Sequence, residues 1–134
     1  MTTHTGHCFC RDVVFKVVGP AKYACFCHCE SCRRAAGGVY VPWATFAKDT
    51  FVVTSGNMIQ HHSSPQGTRG LCPRCGTSLT YEHEDRAGEI DITLTSFDNP
   101  SDFSPQSHIW VEDKLPWVSI NDGLPQHAQR VVSD

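Results

Sequence analysis

The sequence predicts a mainly β fold with one short helix and two zinc sites. Three observations carry this. Apolar residues recur at alternate positions in short runs bounded by turn residues, the period of a half-buried strand. Only residues 31–36 have helical character, and Gly37-Gly38 stop that stretch after about two turns. Seven of the eight cysteines fall into three tight clusters, a spacing suited to metal clips rather than to a conventional core alone.

Taken in order, Val13, Phe15 and Val17 alternate with Val14, Lys16 and Val18 and read as the first strand. Tyr40-Val41-Pro42-Trp43-Ala44 is a second apolar run, whose proline suits a sheet edge or a bulge. Phe51-Val52-Val53 and Met58-Ile59 flank Ser55-Gly56-Asn57, which reads as a hairpin turn. Ile90, Ile92 and Leu94 alternate with Asp91, Thr93 and Thr95, and Ile109-Trp110-Val111 forms a last short strand. Pro65-Gln66-Gly67, Asn99-Pro100 and residues 116–125 are turns and loops.

The 134 residues and 14.9 kDa suit one domain spanning 1–134. Such a chain buries only a small core, which a metal clip would reinforce. Eleven basic against 14 acidic residues give a formal charge of −3. No basic block or aromatic-basic stripe points to nucleic acid. No apolar run approaches the roughly 18 residues of a membrane span. Met1-Thr2-Thr3-His4 has neither a basic nor an apolar leader region, so export is not expected and a cytoplasmic location is. In that setting the cysteines read as reduced thiols and metal ligands, in preference to disulfides.

The clusters divide into a complete metal site and an open one. Cys8-Phe9-Cys10 and Cys72-Pro73-Arg74-Cys75-Gly76 together supply four thiolates, enough to close a tetrahedral structural zinc site. The Cys-x-x-Cys turn puts both sulfurs on one side, Gly76 permits a positive φ, and amides of the turn can point at the thiolates. Cys27-His28-Cys29-Glu30-Ser31-Cys32 supplies three. Three thiolates leave a fourth position for water or a substrate atom, and their negative charge weakens the Lewis acidity of zinc. Such a site suits binding a soft thiol better than making hydroxide. His28 points away from the metal if the strand is extended. Cys25 reads as a core or strand residue; as a fourth ligand it would crowd four cysteines into eight positions. Arg33, Arg34 and Arg69 can each bind a carboxylate or sit on a solvated face. His61 and His62 read as surface residues. Trp43, Trp110 and Trp117 read as core aromatics, one of which could wall the open metal position. No Ser-His-Asp order, phosphate loop or general base stands out.

With Gly6-His7-Cys8-Phe9-Cys10, then residues 27–38 from Cys27-His28-Cys29 to Gly37-Gly38, then Arg69-Gly70-Leu71-Cys72-Pro73-Arg74-Cys75-Gly76, the chain resembles the glutathione-dependent formaldehyde-activating enzyme family, the CENP-V/GFA domain. Thr95-Ser96-Phe97-Asp98-Asn99-Pro100, Pro105-Gln106-Ser107-His108-Ile109 and Leu115-Pro116-Trp117 extend the resemblance over nearly the whole chain. It implies a β-tent fold, a structural zinc on Cys8, Cys10, Cys72 and Cys75, and a catalytic zinc on Cys27, Cys29 and Cys32. Two positions depart from the family pattern: Arg11 where glycine is usual, and Leu71 where an aromatic residue is usual. Neither is a metal ligand.

The reading that follows is a two-zinc carbon–sulfur lyase resembling S-(hydroxymethyl)glutathione synthase. A small thiol such as glutathione is activated at the second zinc for reversible addition to a small aldehyde. Arg33, Arg34 or Arg69 hold a substrate carboxylate. The competing readings are a zinc-stabilised binding module without turnover, favoured if Cys25 closes the second site, and a redox sensor using Cys25 and Cys27.

Overall fold

The computed structural model describes residues 1–131, built as two sheets, one α-helix and several short 3-10 turns. The first sheet has three antiparallel strands in the order β1 (Thr3–His7), β2 (Val14–Val18), β5 (Val52–Ser55). The second has seven. Its order is β10 (His108–Ile109), β3 (Tyr23–Cys27), β4 (Val41–Ala47), β9 (Glu89–Thr93), β8 (Ser78–His83), β7 (Gly67–Leu71), β6 (Ile59–His62). All pairings are antiparallel except β10 on β3. The helix, α1, spans Glu30–Ala36 and ends at Gly37. The expected mainly β fold with one helix is therefore present.

The strand period of two sorts the side chains between two cores. Phe15 and Val17 of the small sheet face Phe46, Leu79, Ile90 and Ile92 of the large one, and Phe97 closes the end. Phe46 is wholly buried, so its loss would cost about 3–5 kcal/mol. The other face of the large sheet carries a second, smaller core of Cys25, Cys27, Cys32, Val41 and Trp43. Cys25 lies opposite Trp43 and Cys27 opposite Val41 in the β3–β4 register.

Three local expectations differ from the structure. The segments around Ser55-Gly56-Asn57 are not a hairpin: β5 pairs with β2 in one sheet, while β6 pairs with β7 in the other. Gly56 has φ +76°, and a Cβ there would collide with the Asp12 carbonyl. Close approach to the β1–β2 connection of the same sheet, with the positive φ, sets that glycine, not hairpin closure. β4 is interior, not an edge. It tolerates Pro42 because pairing with β9 begins one residue later, at Trp43 opposite Thr93. The strand expected over 109–111 ends at Ile109, because Trp110 takes a left-handed φ of 56° and Val111–Asp113 form a 3-10 turn.

Candidate metal centres and adjoining cleft

The β1–β2 connection and the β7–β8 connection meet at one end of the molecule. Cys8, Cys10, Cys72 and Cys75 converge there, their sulfurs all within 4.8 Å of one another. Cys8 Sγ lies 3.6 Å from Cys10 Sγ, which lies 3.8 Å from Cys72 Sγ. Zinc bonded tetrahedrally to sulfur at about 2.3 Å would set its ligands about 3.8 Å apart, so the donor set fits that ion. Backbone amides converge as a Cys-x-x-Cys turn allows: Arg74 and Cys75 N–H both reach Cys72 Sγ at 3.4 Å, and Val13 N–H reaches Cys8 Sγ at 3.3 Å. The Thr77 hydroxyl, 3.1 Å from Cys75 Sγ, holds that thiol down at about 5. Gly76 closes the turn with φ 81°. Arg11, directly after Cys10, has φ 68°, the conformation that glycine adopts without steric cost.

The second cluster forms where β3 runs into α1. Cys27 ends β3, Cys29 caps α1 by accepting Cys32 N–H at 3.3 Å, and Cys32 is one turn into the helix. These three sulfurs also lie within 4.8 Å of one another and could hold a metal ion. Among the described residues no fourth His, Cys, Asp or Glu atom joins them. Cys25 faces the same side and shares the small core with Cys27 and Cys32, but its sulfur is not part of the convergent set; burial, with the nearby Asp91 and Cys32 charges, pushes its thiol up to about 12.

Arg69 on β7 completes the surroundings. It is only 8% exposed; its guanidinium lies over the Tyr81 ring at 4.6 Å and donates from Nη2 to Cys32 Sγ at 3.8 Å. Hydrogen bonds from Cys27 and Cys29, with the Arg69 charge, hold the Cys32 thiol far below its ordinary value. Arg69 Nη1 is buried and has no acceptor among the described residues.

Arg69 also lines a cleft of about 450 Å³ between α1 and β6–β8, together with Ser31, Arg34, His61, Ser63 and Tyr81. Among the described residues no carboxylate lines it. The three candidate arginines are thus divided. Arg69 and Arg34 reach the cleft, Arg34 with an exposed ion pair to Glu30 at 2.7 Å. Arg33 does not: its Nε donates to His28 O at 3.1 Å and its Nη2 to Asp113 O at 3.2 Å, which clamps α1 to the segment after β10. Leu71 lies in the cleft wall, so that departure from the family pattern touches the cleft and no ligand. Trp43 and Trp110 pack against the second cluster. Trp117, expected in the core, is 70% exposed.

Sequence reasoning missed one constellation. His28 is wholly buried, and its Nε2 lies 2.8 Å from His108 Nδ1; His108 Nε2 lies 2.7 Å from Asp122 Oδ2. Burial, with the neighbouring His108, Lys114 and Arg33 charges, lowers His28 to about 4. Position 28 between two candidate ligands was the signal that a side chain there must find its own partners. Asp122, in an irregular loop, gave none.

Comparison with known proteins agrees with this arrangement. Residues 3–113 match the family "Glutathione-dependent formaldehyde-activating enzyme". A Halomonas elongata protein named "Putative glutathione-dependent formaldehyde-activating enzyme" is 32% identical over 126 residues, covering 86% of this chain and 79% of that protein. A crystal structure of a Rhodobacter sphaeroides protein shares the fold, with TM-score 0.58 and 19% identity, covering 92% of this chain and 98% of that one. Two convergent cysteine clusters on a mainly β frame, and a match spanning both, place this chain in the glutathione-dependent formaldehyde-activating enzyme family.

Proposed function

We propose that this single-domain chain is a two-zinc, cytoplasmic carbon–sulfur lyase that joins a small thiol such as glutathione to a small aldehyde and releases it again. The observation that carries the reading is the three-cysteine cluster beside a cationic cleft, with Cys25 outside the set of convergent sulfurs. A closed second site would have favoured the binding module. The named relative, described as a glutathione-dependent formaldehyde-activating enzyme, supports the choice of thiol and aldehyde.

In this proposal Cys8, Cys10, Cys72 and Cys75 hold a structural zinc, and Cys27, Cys29 and Cys32 hold the catalytic one. Zinc at the second cluster would lower the pKa of a thiol at its fourth position and keep it nucleophilic near neutral pH. The chain's own residues arrange the rest. Arg69 offsets the negative charge of the thiolates from a buried, aromatic-backed position. Arg34 and Arg69 meet the carboxylate of the thiol's tail, for which the cleft has room and charge. Addition forms one C–S bond, and the carbonyl electron pair moves onto oxygen. That oxygen takes a proton from solvent, which balances the proton the thiol lost. No dedicated base is needed, and the reverse path runs through the same groups.

Calorimetry with glutathione tests this. Wild type should bind, and Cys29→Ser should not. Arg69→Gln should weaken binding by about 1–3 kcal/mol for a carboxylate-bearing thiol. A wild type that retains both metals yet binds neither glutathione, cysteine nor other small thiols would overturn the reading.

A further inference from the structure

The His28–His108–Asp122 chain lies outside the mechanism just given, yet it is anchored at the centre of the second cluster. A carboxylate can only accept a hydrogen bond, so His108 Nε2 carries the proton toward Asp122, at 2.7 Å. His108 Nδ1 in turn lies 2.8 Å from His28 Nε2, so the two buried rings share one hydrogen bond. One surface carboxylate thereby helps to fix the ring orientation of two buried imidazoles. Stacking reinforces the arrangement: His108 lies on Phe26 with ring centres 4.9 Å apart, and His28 lies against Tyr40 at 4.7 Å.

The backbone of residue 28 is held as firmly. His28 N–H donates to Ile109 O at 3.0 Å, and His28 C=O accepts from Arg33 Nε at 3.1 Å. Every directional handle of this residue except Nδ1 is committed, and the residues on either side of it are the ligands Cys27 and Cys29. β10 is in turn held by the C-terminal segment: His108 N–H donates to Pro125 O at 2.9 Å, and His127 N–H donates to His108 O at 2.9 Å. Asp122 belongs to that segment and accepts Leu124 N–H at 3.0 Å.

The geometry points to His108 and Asp122 as positioning residues for the second metal site, through which the C-terminal segment fixes the turn that aims Cys27 and Cys29. This rests on the reading of the three-cysteine cluster as a metal site. Partners that orient a metal's ligands without touching the metal typically change affinity by about 10–100-fold when removed. The first cluster shares no residue with this chain of contacts and should be indifferent.

The test is cobalt titration of the purified protein, read by the thiolate-to-metal and ligand-field absorption bands, with thermal melting alongside. Asp122→Ala and His108→Phe should each raise the dissociation constant of the second cobalt by about 10–100-fold and alter its ligand-field bands, leaving the first unchanged. His108→Phe keeps an aromatic ring for stacking and removes only the hydrogen bonds. Asp122→Asn, whose amide oxygen can still accept from His108, should recover most of the affinity. Folded Asp122→Ala and His108→Phe variants with wild-type affinity and bands at the second site would overturn the inference. Equal weakening at both sites would do the same, since it would mean general destabilisation. A wild type that loads only one metal would overturn the metal reading itself, and this inference with it.

Discussion

Replacing Cys72 by serine should unfold the protein, and the reason lies in where its sulfur sits. Cys72 is wholly buried and part of the main core with Phe15, Phe46 and Leu79. Its sulfur accepts two backbone N–H groups at 3.4 Å and lies 3.8 Å from Cys10 Sγ. The shorter serine side chain would pull away from all of these partners. Two amides losing their acceptor would cost about 1–3 kcal/mol together. On the proposed reading the larger loss is the metal, since a structural zinc contributes on the order of 10 kcal/mol or more to folding. A chain of this size has about 5–15 kcal/mol in total. Losing even half of the metal contribution, about 5 kcal/mol, would lower Tm by roughly 15–25 °C. The assay is thermal unfolding with zinc analysis on wild type, Cys72→Ser and Cys29→Ser. Cys29→Ser should stay folded with one zinc fewer, because Cys29 lies at the rim of the small core. A Cys72→Ser protein melting within a few degrees of wild type would refute the structural role of that site.

Further outcomes follow from single residues. Arg11→Gly should stabilise the protein by about 0.5–1 kcal/mol, because it removes a left-handed backbone penalty at φ 68° and only part of that gain is lost to unfolded-state entropy; a lower denaturation midpoint would contradict this. Cys25, raised from 9.0 to about 12 by burial first, should resist alkylation at pH 8 in the native protein, and rapid labelling there would be inconsistent with its burial. Its folded value lies above its unfolded one, so the stability it contributes is complete below about pH 9 and is withdrawn as pH rises toward 12. Cys25→Ala should remove that part of the alkaline destabilisation, measured by urea midpoints across the range.

The parts of the fold most legible in the sequence were those with strong alternation or a terminating signal. β2 and β9 follow from alternating Val/Phe and Ile, and α1 from its glycine stop. β1, β7 and β8 were hidden because Thr3–His7, Gly67–Leu71 and Ser78–His83 are rich in Thr, Gly, Ser and charged residues. Their strand identity comes from pairing with neighbours, which composition does not encode. The cysteine clusters were legible because metal ligation needs particular atoms at short spacing. The fates of Arg33 and Arg69 were not, since both read as arginines near cysteines. Only the fold turns one onto backbone carbonyls and buries the other against Tyr81 and Cys32. The His28–His108–Asp122 chain joins residues 80 positions apart in its first contact, beyond any local pattern.

The central claim is that the three-cysteine cluster presents a metal to a substrate thiol. Zinc-edge X-ray absorption on the purified protein, with and without glutathione, tests it most directly. The account predicts one additional zinc–sulfur neighbour per chain at about 2.3 Å on adding glutathione, and none in Cys29→Ser. An unchanged sulfur shell in a wild type carrying two zincs would contradict it.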